Sequence, residues 1–364
     1  MKLICGPMAT ISHVAFRILV EKFGGADEYF TEMINAGSLL NMGPFEPYYI
    51  NPAPKPSKIV WQLTGNDGEK MARAAEILLE LPGLGIDINM GCSAPDVYKT
   101  GAGIAWMTKS LCETREMVRL VGQTVEKYNK KLENENQEKK RFSVKLRLGD
   151  DDFSDEGFFA FTDMLVENGV NLLTLHPRTK KEKLTRPPRY EYCHLLCQRY
   201  KKDGIELYIN GNIKDSASLE IALSKCPNAH GVMISRAAVQ KPWIFGELGN
   251  CGICKNEIKS DGMKSVGANN GEVCNGEREK KKVSIDMLSL CLEYIDNIEK
   301  YQPKEFYKTR LQRFFSYFCM NFKFSHYAST KFLNAATKGN EVLREVVRSF
   351  FDECPEERIK ILYT

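Results

Sequence analysis

The sequence lacks long apolar runs. No stretch approaches the roughly 18 consecutive apolar residues that a membrane-spanning helix requires. The opening "MKLICGPMAT" has one lysine and only a few apolar residues before Gly6 and Pro7, far short of the apolar core of a signal peptide. We therefore expect a soluble, cytoplasmic protein with no membrane partner.

A strong net charge and regularly spaced cysteines are also missing. The formal charge is only +4, so any nucleic-acid binding must come from local basic clusters. Twelve cysteines without regular spacing, in a chain of 364 residues without a secretion signal, indicate reduced thiols rather than a disulfide scaffold. "CGIC" at 251–254, with Cys274, is a weak zinc pattern because no second pair stands at the usual spacing, so we predict no metal site.

Strand-like and helix-like segments alternate from Lys2 to about Gly246. Eight short runs bounded by turn residues have strand character: "KLICGPM", "EYFTEMI", "KIVWQLTG", "GIDINMG", "SVKLRLG", "NLLTLHP", "ELYING" and "GVMISR". Most are nearly continuous apolar runs, as expected for strands buried on both faces of a parallel sheet. Eight such units predict an α/β fold, a (β/α)8 TIM barrel, with a doubly wound open sheet as the alternative.

The remaining chain divides into two parts. Residues 247–282 are rich in Gly, Asn, Lys and Glu and nearly lack large apolar residues, so we expect a disordered or loosely ordered insertion after a barrel domain of residues 1–246. Helical spacing resumes in residues 283–364 and predicts a small all-α bundle. The proline-rich stretch "NAGSLLNMGPFEPYYINPAPKP" shows little helical pattern and is predicted to be a loop.

The residues at the carboxyl ends of the predicted strands, where the loops of a barrel converge, are unusually polar for strand ends. They are Pro7, Met8, Glu32, Gln62, Asn89, Cys92, Lys145, Arg147, His176, Arg178, Asn210, Ser235 and Arg236, a roster of donors, cations and one thiol with a single carboxylate. The turn from Asn210 to Asn212 and the segment "ISRAA" each precede a helix, so backbone amides and Arg236 can converge on a phosphate-bearing ligand. Lys145, His176 and Gln62 would face the same mouth and could hydrogen-bond a polar ring system.

Several of these motifs occur together in a known order. "GPMATISHVAFRILVEKFGGADEYFTEMI", "WQLTGND", "IDINMGCSAPDV", "VKLRLG", "TLHPRTK", "INGNI" and "GVMISRAAVQKPWIF" resemble, in order and approximate spacing, the motifs of the flavin-dependent tRNA dihydrouridine synthases. The resemblance covers the whole barrel and continues into the tail. One departure is Ser93, which follows the cysteine where the family usually has proline.

The resemblance implies a cofactor and a reaction. FMN would lie over the barrel mouth above Pro7 and Met8, and NADPH or NADH would reduce it. The reduced flavin would then be used to convert tRNA uridines to 5,6-dihydrouridine. The residues implied at its polar edge are Gln62, Lys145 and His176, and those at its phosphate are Asn210, Ser235 and Arg236, beside the Asn212 turn. Asn89 would lie beside the substrate uracil, and Cys92 would be the catalytic acid.

A thiol suits that role. Reduction of the 5,6 double bond adds a hydride to carbon 6 and a proton to carbon 5, and a positioned acid is worth about 10²- to 10⁴-fold in rate. A cysteine with an ordinary pKa of about 8.5 is mostly protonated at neutral pH and can supply that proton without a shift of its pKa. The alternative is a small buried thiol at a strand end.

Basic residues near the mouth are the candidates for gripping tRNA. The loop "RTKKEKLTRPPR" at 178–189 begins at the active-site mouth and contains Arg178, Lys180 and Lys181; Arg147 lies at the end of the preceding strand. In the tail helix, Lys308, Arg310 and Arg313 are predicted to share an exposed face with Lys304. We expect a monomer. Two alternatives stay open: a barrel flavoenzyme that reduces a small molecule, such as a dihydroorotate dehydrogenase or old yellow enzyme, and a tRNA-binding protein that has lost catalysis.

Overall fold

The computed structural model describes residues 1–150, 152–182, 185–250 and 282–363. Within these ranges the β-strands are β1 Lys2–Cys5, β2 Glu28–Phe30, β3 Ile34–Asn35, β4 Ile59–Thr64, β5 Gly85–Met90, β6 Arg141–Leu146, β7 Leu172–Leu175, β8 Glu206–Asn210, β9 Gly231–Ile234, β10 Lys282–Asp286 and β11 Ile359–Tyr363. The helices are α1 Val14–Glu21, α2 Ala36–Leu40, α3 Glu46–Tyr49, α4 Gly68–Leu79, α5 Pro95–Tyr98, α6 Leu111–Asn134, α7 Asp155–Glu167, α8 Glu191–Arg199, α9 Ser216–Lys225, α10 Arg236–Gln240, α11 Ile244–Asn250, α12 Met287–Tyr301, α13 Tyr307–Phe318, α14 Ser325–Ala336 and α15 Asn340–Glu353.

Eight parallel strands close on themselves. Hydrogen bonds connect them in the order β2, β1, β9, β8, β7, β6, β5 and β4, and β2 pairs with β4 through Tyr29 and Ile59 to complete the ring. The short β3 adds only a two-residue extension to β4. The predicted (β/α)8 barrel is therefore confirmed, and the open sheet is excluded because no barrel strand is left as a free edge within the described residues.

Side chains alternate between two apolar cores. On β5, Ile86, Ile88 and Met90 belong to the large core between the barrel and its helices. A smaller cluster inside the barrel consists of Ile4, Phe30, Val60, Leu172, Tyr208 and Met233. Because successive strand residues point to opposite faces, Asp87 and Asn89 on β5 point into the barrel interior.

The amino-terminal end of the barrel is closed by charged side chains. Arg141 Nη2 donates to Glu28 Oε2 over 2.6 Å, and the Tyr208 hydroxyl donates to Glu28 Oε1 over 2.8 Å. Lys2 Nζ donates to the same oxygen over 3.1 Å. Burial alone would raise the pKa of Glu28, but the hydrogen bond and charge of Arg141 hold that pKa below its usual value. One carboxylate thereby joins β1, β2, β6 and β8.

The tail differs in part from the prediction. Helices α12 to α15 pack together as expected, but residues 282–286 form β10, which pairs antiparallel with β11. The expectation of a purely helical tail was therefore wrong at both of its ends, where short runs such as "KVSID" gain strand pairing from a partner far along the chain. Helix α11 extends to Asn250, and residues 251–281, which carry most of the predicted insertion and the "CGIC" pattern, lie outside the described residues.

The proline-rich stretch is more ordered than predicted. It contains α2 and α3, and the Asn35 side chain caps α2 by accepting a hydrogen bond from the Ser38 backbone amide over 3.0 Å. These helices are five and four residues long, too short to produce a recognisable helical period. Among the described residues, no helix is both long and apolar enough to cross a membrane.

Candidate active site

The predicted site residues lie on the inward rows of neighbouring strands. Asn89 on β5 stands in register with Lys145 on β6, and Lys145 stands in register with Thr174 on β7. His176 follows Thr174 by two positions and therefore points to the same interior at the carboxyl end of β7. The fold brings these side chains together at one mouth, as the sequence predicted.

A cavity of about 450 Å³ opens between the ends of β8 and β9. Five predicted residues line it, namely His176, Asn210, Asn212, Ser235 and Arg236. Tyr317 of α13 and Met320, just after α13, form part of its wall as well. Sequence reasoning missed this contribution of the tail, because nothing in the spacing of α13 indicates that it packs beside the barrel mouth.

The turn after β8 requires glycine. Gly211 has φ +121°, and a Cβ there would lie 2.9 Å from His176 Cδ2. The Asn210 side chain donates from Nδ2 to the Met233 carbonyl over 2.9 Å, which ties β8 to β9. The turn thus brings its backbone against the imidazole ring of His176 and fixes one side of the cavity.

Arg236 is an uncommitted cation at this cavity. It is the first residue of α10, it is exposed, and it makes no side-chain hydrogen bond or ion pair with the described part of the chain. Its neighbour Ser235 lies close to the end of β1, since a Cβ on Gly6 would stand 2.4 Å from Ser235 Oγ. Pro7 and Met8 follow Gly6 along the chain, but they are not among the residues that line the cavity.

His176 is held as a neutral ring. Its Nε2 lies 2.8 Å from Nη1 of Arg178, and because a guanidinium can only donate, Nε2 accepts and the ring proton lies on Nδ1. Burial, reinforced by the charges of Lys145, Arg147, Arg178 and Arg236, lowers the pKa of His176 to about 2. The ring therefore offers an N–H donor in the mouth at every physiological pH.

Lys145 is a half-buried cation without a partner. Its ammonium makes no hydrogen bond or ion pair with any residue in the described ranges. Burial and then the charge of Arg147 lower its pKa to about 8, while Asp87 and Cys92 act in the opposite direction. At neutral pH this side chain stays mostly charged, so the mouth is a site for an anion or an electron-rich ring edge.

Gln62 and Asn89 support the cysteine loop from beneath. Gln62 is fully buried; its Nε2 donates to Asp87 Oδ2 over 2.8 Å, and its Oε1 accepts from Asn89 Nδ2 over 2.9 Å. Asn89 Oδ1 in turn accepts from the backbone amides of Gly91, over 3.2 Å, and Cys92, over 2.9 Å. Asp87, which sequence reasoning overlooked, could have been found as the inward neighbour of Asn89 two positions earlier.

The Cys92 thiol is half-buried in a tightly anchored loop. The Cys92 carbonyl accepts from the Ile104 amide over 3.0 Å, and a Cβ on Gly103 would stand 2.6 Å from that carbonyl oxygen. Gly103 also has φ +63°, so both the conformation and the close approach require glycine at this position. Arg147 donates from Nε to the Gly91 carbonyl over 3.0 Å and from Nη1 to the Thr179 carbonyl over 3.2 Å, linking this loop to the one after β7.

Two predicted RNA contacts are corrected by the structure. Arg178 is fully buried, and its Nε donates to the Arg186 carbonyl over 2.8 Å, so it orients His176 and the following loop instead of facing solvent. Arg310 is also buried and pairs with Glu32 over 2.7 Å. Its expected place on an exposed face with Lys308 and Arg313 was wrong because the aromatic side of α13 faces the barrel and includes Arg310.

The other basic candidates remain at the surface. Lys308 and Arg313 are exposed on α13, and Lys181 is exposed in the loop after β7. Lys180 is half-buried; its ammonium pairs with Asp150 over 2.7 Å and lies 3.4 Å from the centre of the Tyr98 ring. That contact joins the cysteine loop, which contains Tyr98, to the loops after β6 and β7.

The closed ring of eight parallel strands places this chain in the TIM-barrel class, in which the carboxyl ends of the strands form the active site. A family model described as dihydrouridine synthase (Dus) matches residues 3–316, and the chain belongs to this family of oxidoreductases. A "Probable tRNA-dihydrouridine synthase" of Aquifex aeolicus is 29% identical over 249 residues, 68% of this chain and 72% of that protein. Its counterpart in Helicobacter pylori strain 26695 is 30% identical over 250 residues, 68% of this chain and 70% of that protein.

Solved structures also match part of the chain. An old yellow enzyme homologue from Zymomonas mobilis aligns with a TM-score of 0.42 and 12% identity, over 66% of this chain and 86% of that chain.

Proposed function

We propose that this protein reduces specific uridines of tRNA to 5,6-dihydrouridine, with bound FMN and with NADPH or NADH as the reductant. The observation that carries the proposal is that the anchored Cys92 thiol and the unpartnered cations Lys145 and Arg236 belong to one barrel mouth. The tRNA-dihydrouridine synthases among its relatives give the substrate class. Such an enzyme would act in the cytoplasm as a monomer.

The chemistry of the mouth fits FMN. A phosphate needs donors without competing carboxylates, and the cavity lining offers Asn210, Ser235 and Arg236 and includes no acidic side chain among the described residues. A flavin ring presents carbonyl and imide groups, for which Lys145 and the Nδ1–H of His176 are suitable donors. We assign the ring end to Lys145, His176 and Gln62, with Pro7 and Met8 beneath.

Gln62 would contribute in a restricted way. Both ends of its amide already make a hydrogen bond, to Asp87 and Asn89, so only the second Nε2 hydrogen and the second lone pair of Oε1 are left for a ligand. Lys145 and His176 would therefore carry more of the ring contact than Gln62.

The protein supplies the proton for carbon 5 of uracil. The hydride that carbon 6 accepts would come from FMN held by Lys145, His176 and Arg236. The Cys92 thiol gives up its proton to carbon 5, and the thiolate left behind regains a proton from solvent once the product leaves. The Asn89, Arg147 and Gly103 contacts hold the Cys92 backbone in place, so the thiol approaches the base from a fixed point.

Asn89 would face the uracil from the same loop. Its side chain is nearly buried and is oriented by Gln62, which gives it one defined amide direction. Because Asn89 Oδ1 already accepts from the Gly91 and Cys92 amides, only its second Nδ2 hydrogen is left for a ligand, and it could donate to a uracil carbonyl where cytosine carries an amino group at position 4.

The tail would carry part of the tRNA. Tyr317 of α13 lines the cavity, while Arg313, one helical turn earlier, is exposed and lies 5.4 Å from the Tyr317 ring. One helix therefore extends from the mouth to a solvent-facing cation, with Lys308 further along. Such cations suit the phosphates of an RNA whose uridine is turned out of its stack into the barrel.

Mapping dihydrouridine tests the proposal directly. Purified protein with FMN and NADPH is incubated with tRNA that lacks dihydrouridine, and the modified position is read at single-nucleotide resolution. We expect one or a few defined positions to be converted. Flavin reduction without any converted uridine would favour a small-molecule reductase, and tRNA binding without flavin would favour a binding protein that has lost catalysis; either result overturns the proposal.

A further inference from the structure

Three side chains inside the barrel form a hydrogen-bond chain that ends at the backbone of the cysteine loop. Asp87 Oδ2 accepts from Gln62 Nε2, Gln62 Oε1 accepts from Asn89 Nδ2, and Asn89 Oδ1 accepts from the Cys92 amide. The three links measure 2.8, 2.9 and 2.9 Å. Asp87 and Gln62 are fully buried, and Asn89 is 6% exposed, so water does not compete for these groups.

The direction of this chain is set at both ends, because the backbone amides of Gly91 and Cys92 can only donate and therefore require the oxygen of Asn89. An amide can turn over and exchange its donor and acceptor, so neither Gln62 nor Asn89 fixes its own orientation. An ionised carboxylate only accepts, and the second oxygen of Asp87 is already occupied by the Ser143 hydroxyl, which donates over 2.8 Å. Gln62 must therefore present Nε2 to Asp87 and Oε1 to Asn89, which is the direction that the loop amides also require.

We propose that Asp87 is a positioning residue that fixes the orientation of Gln62, so that the Asn89 amide keeps the orientation in which it holds the Cys92 loop. It touches neither the thiol nor the proposed uracil site and acts through Gln62 and Asn89. Its effect on catalysis rests on the proposed function, whereas its effect on the loop does not.

The carboxylate is suited to this task. Burial raises the pKa of Asp87 to about 6, and the hydrogen bonds from Gln62 and Ser143 and the charges of Lys145 and Arg141 limit that rise. At neutral pH the group is therefore mostly ionised and has no proton to donate to Gln62.

Asp87→Asn is the primary test. The substitution keeps the shape but adds a donor, so Gln62 and Asn89 can each turn over and the Cys92 amide loses its acceptor in part of the molecules. We expect hydrogen–deuterium exchange at the Gly91 and Cys92 amides to accelerate by about three- to tenfold, the effect of losing one ordinary hydrogen bond. Ser143→Ala is the control, because it removes a neighbour of Asp87 without adding a donor, and exchange there should stay within twofold of wild type.

A reversed chain gives the sharper result. In the double variant Asp87→Asn with Asn89→Asp, the carboxylate is moved from position 87 to position 89. The carboxylate at position 89 accepts from the Cys92 amide and from Gln62 Nε2. Gln62 Oε1 then accepts from the amide at position 87. We expect this double variant to restore slow exchange at Cys92, while Asn89→Asp alone, with two carboxylates on Gln62, should exchange fast. Slow exchange in Asp87→Asn, or fast exchange in the double variant when its melting temperature matches wild type, overturns the proposal.

Single-turnover kinetics measure the catalytic consequence separately. In Asp87→Asn loaded with FMN, dihydrouridine formation should fall about tenfold more than FMN reduction by NADPH, as for a misplaced catalytic group. If wild type itself forms no dihydrouridine, the proposed function fails, and the exchange experiment still decides the role of Asp87. An unchanged rate of uridine reduction together with unchanged exchange contradicts the positioning role.

Discussion

The Arg310 guanidinium and the Glu32 carboxylate form an ion pair of 2.7 Å that is shielded from solvent on both sides. Arg310 belongs to α13 in the tail, and Glu32 follows β2 at the barrel mouth. Glu32 Oε1 also accepts from the Thr10 amide over 2.5 Å, in the loop that continues from Met8. The pair therefore joins the tail to the segment that would lie beneath the flavin.

We expect Arg310→Ala to destabilise the protein by about 3–5 kcal/mol, because it leaves the Glu32 carboxylate buried without its counter-ion. Urea unfolding monitored by circular dichroism measures the effect. Adding Glu32→Gln to Arg310→Ala should recover part of the loss. Arg313→Ala, an exposed arginine on the same helix, should change stability by no more than about 0.5 kcal/mol, and equal losses in Arg310→Ala and Arg313→Ala would contradict the importance of the pair.

Cys92→Ala should separate the two halves of the reaction. The variant loses the proton donor but keeps the flavin contacts, so it should retain FMN, accept electrons from NADPH and bind tRNA. Dihydrouridine formation alone should fall by about 10²- to 10⁴-fold. Cys112→Ala, an exposed thiol on α6, is the control and should behave like wild type. Near-normal product formation in Cys92→Ala would show that this thiol has only a structural role.

Two arginines allow a crossed test of cofactor and RNA binding. Arg236→Ala should weaken FMN binding by about 10- to 100-fold, since one charge-assisted contact to phosphate is lost, and should leave tRNA affinity unchanged for the FMN-loaded protein. Arg313→Ala should do the reverse, weakening tRNA binding and lowering its salt dependence by about one phosphate contact. Fluorescence titration of FMN and filter binding of tRNA measure the two affinities. If both variants lose both ligands, the assignment of separate sites is wrong.

Tyr317→Ala should weaken FMN retention although the residue lies in the tail, because its ring forms part of the cavity wall. A loss of about tenfold is reasonable for an aromatic side chain removed from a ligand cavity. Tyr327→Ala, an exposed tyrosine on α14, provides the comparison. Equal FMN affinities in the two variants would show that the tail does not shape the cofactor site.

His13 should make the protein sensitive to acid. Burial, and then the charges of Arg310 and Arg17, lower the pKa of this ring well below its usual value. Below about pH 6.5 this ring binds a proton in the unfolded chain but not in the folded protein. The free energy of unfolding therefore decreases by about 1.4 kcal/mol for each unit by which the pH is lowered. His13→Phe removes that contribution, so its stability curve between about pH 6 and pH 5 should be flatter than that of wild type, and parallel curves would show that His13 does not titrate in this way.

The sequence predicted the positions of the site better than its contacts. Strand ends and turn residues placed Asn210, Ser235 and Arg236 correctly at one mouth, because the alternation of strand residues and the closure of parallel strands follow from local pattern. The orientation of Gln62, in contrast, depends on Asp87 across a strand boundary, and no local pattern records which end of an amide faces which neighbour.

Arg310 shows the same limit on a larger scale. Residues 308 and 310 lie about 200° apart on a helix, so the spacing itself separated Arg310 from Lys308. The basic character of Arg310 suggested an exposed side chain. Glu32, the carboxylate with which it pairs in the interior, is 278 positions away in the sequence. A buried ion pair between distant segments leaves no trace in either segment taken alone.

The network around Glu28, at the end of the barrel opposite the mouth, affects how the substrate specificity of such an enzyme can evolve. Because Arg141, Tyr208 and Lys2 meet this one carboxylate far from the loops that would hold base and phosphate, closure of the ring does not depend on what those loops recognise. Libraries that vary the exposed positions after β5 and β7, with Cys92, Gly103 and Arg178 kept, should therefore yield many folded variants, and a new preferred uridine could be selected without compensating changes at the base of the barrel.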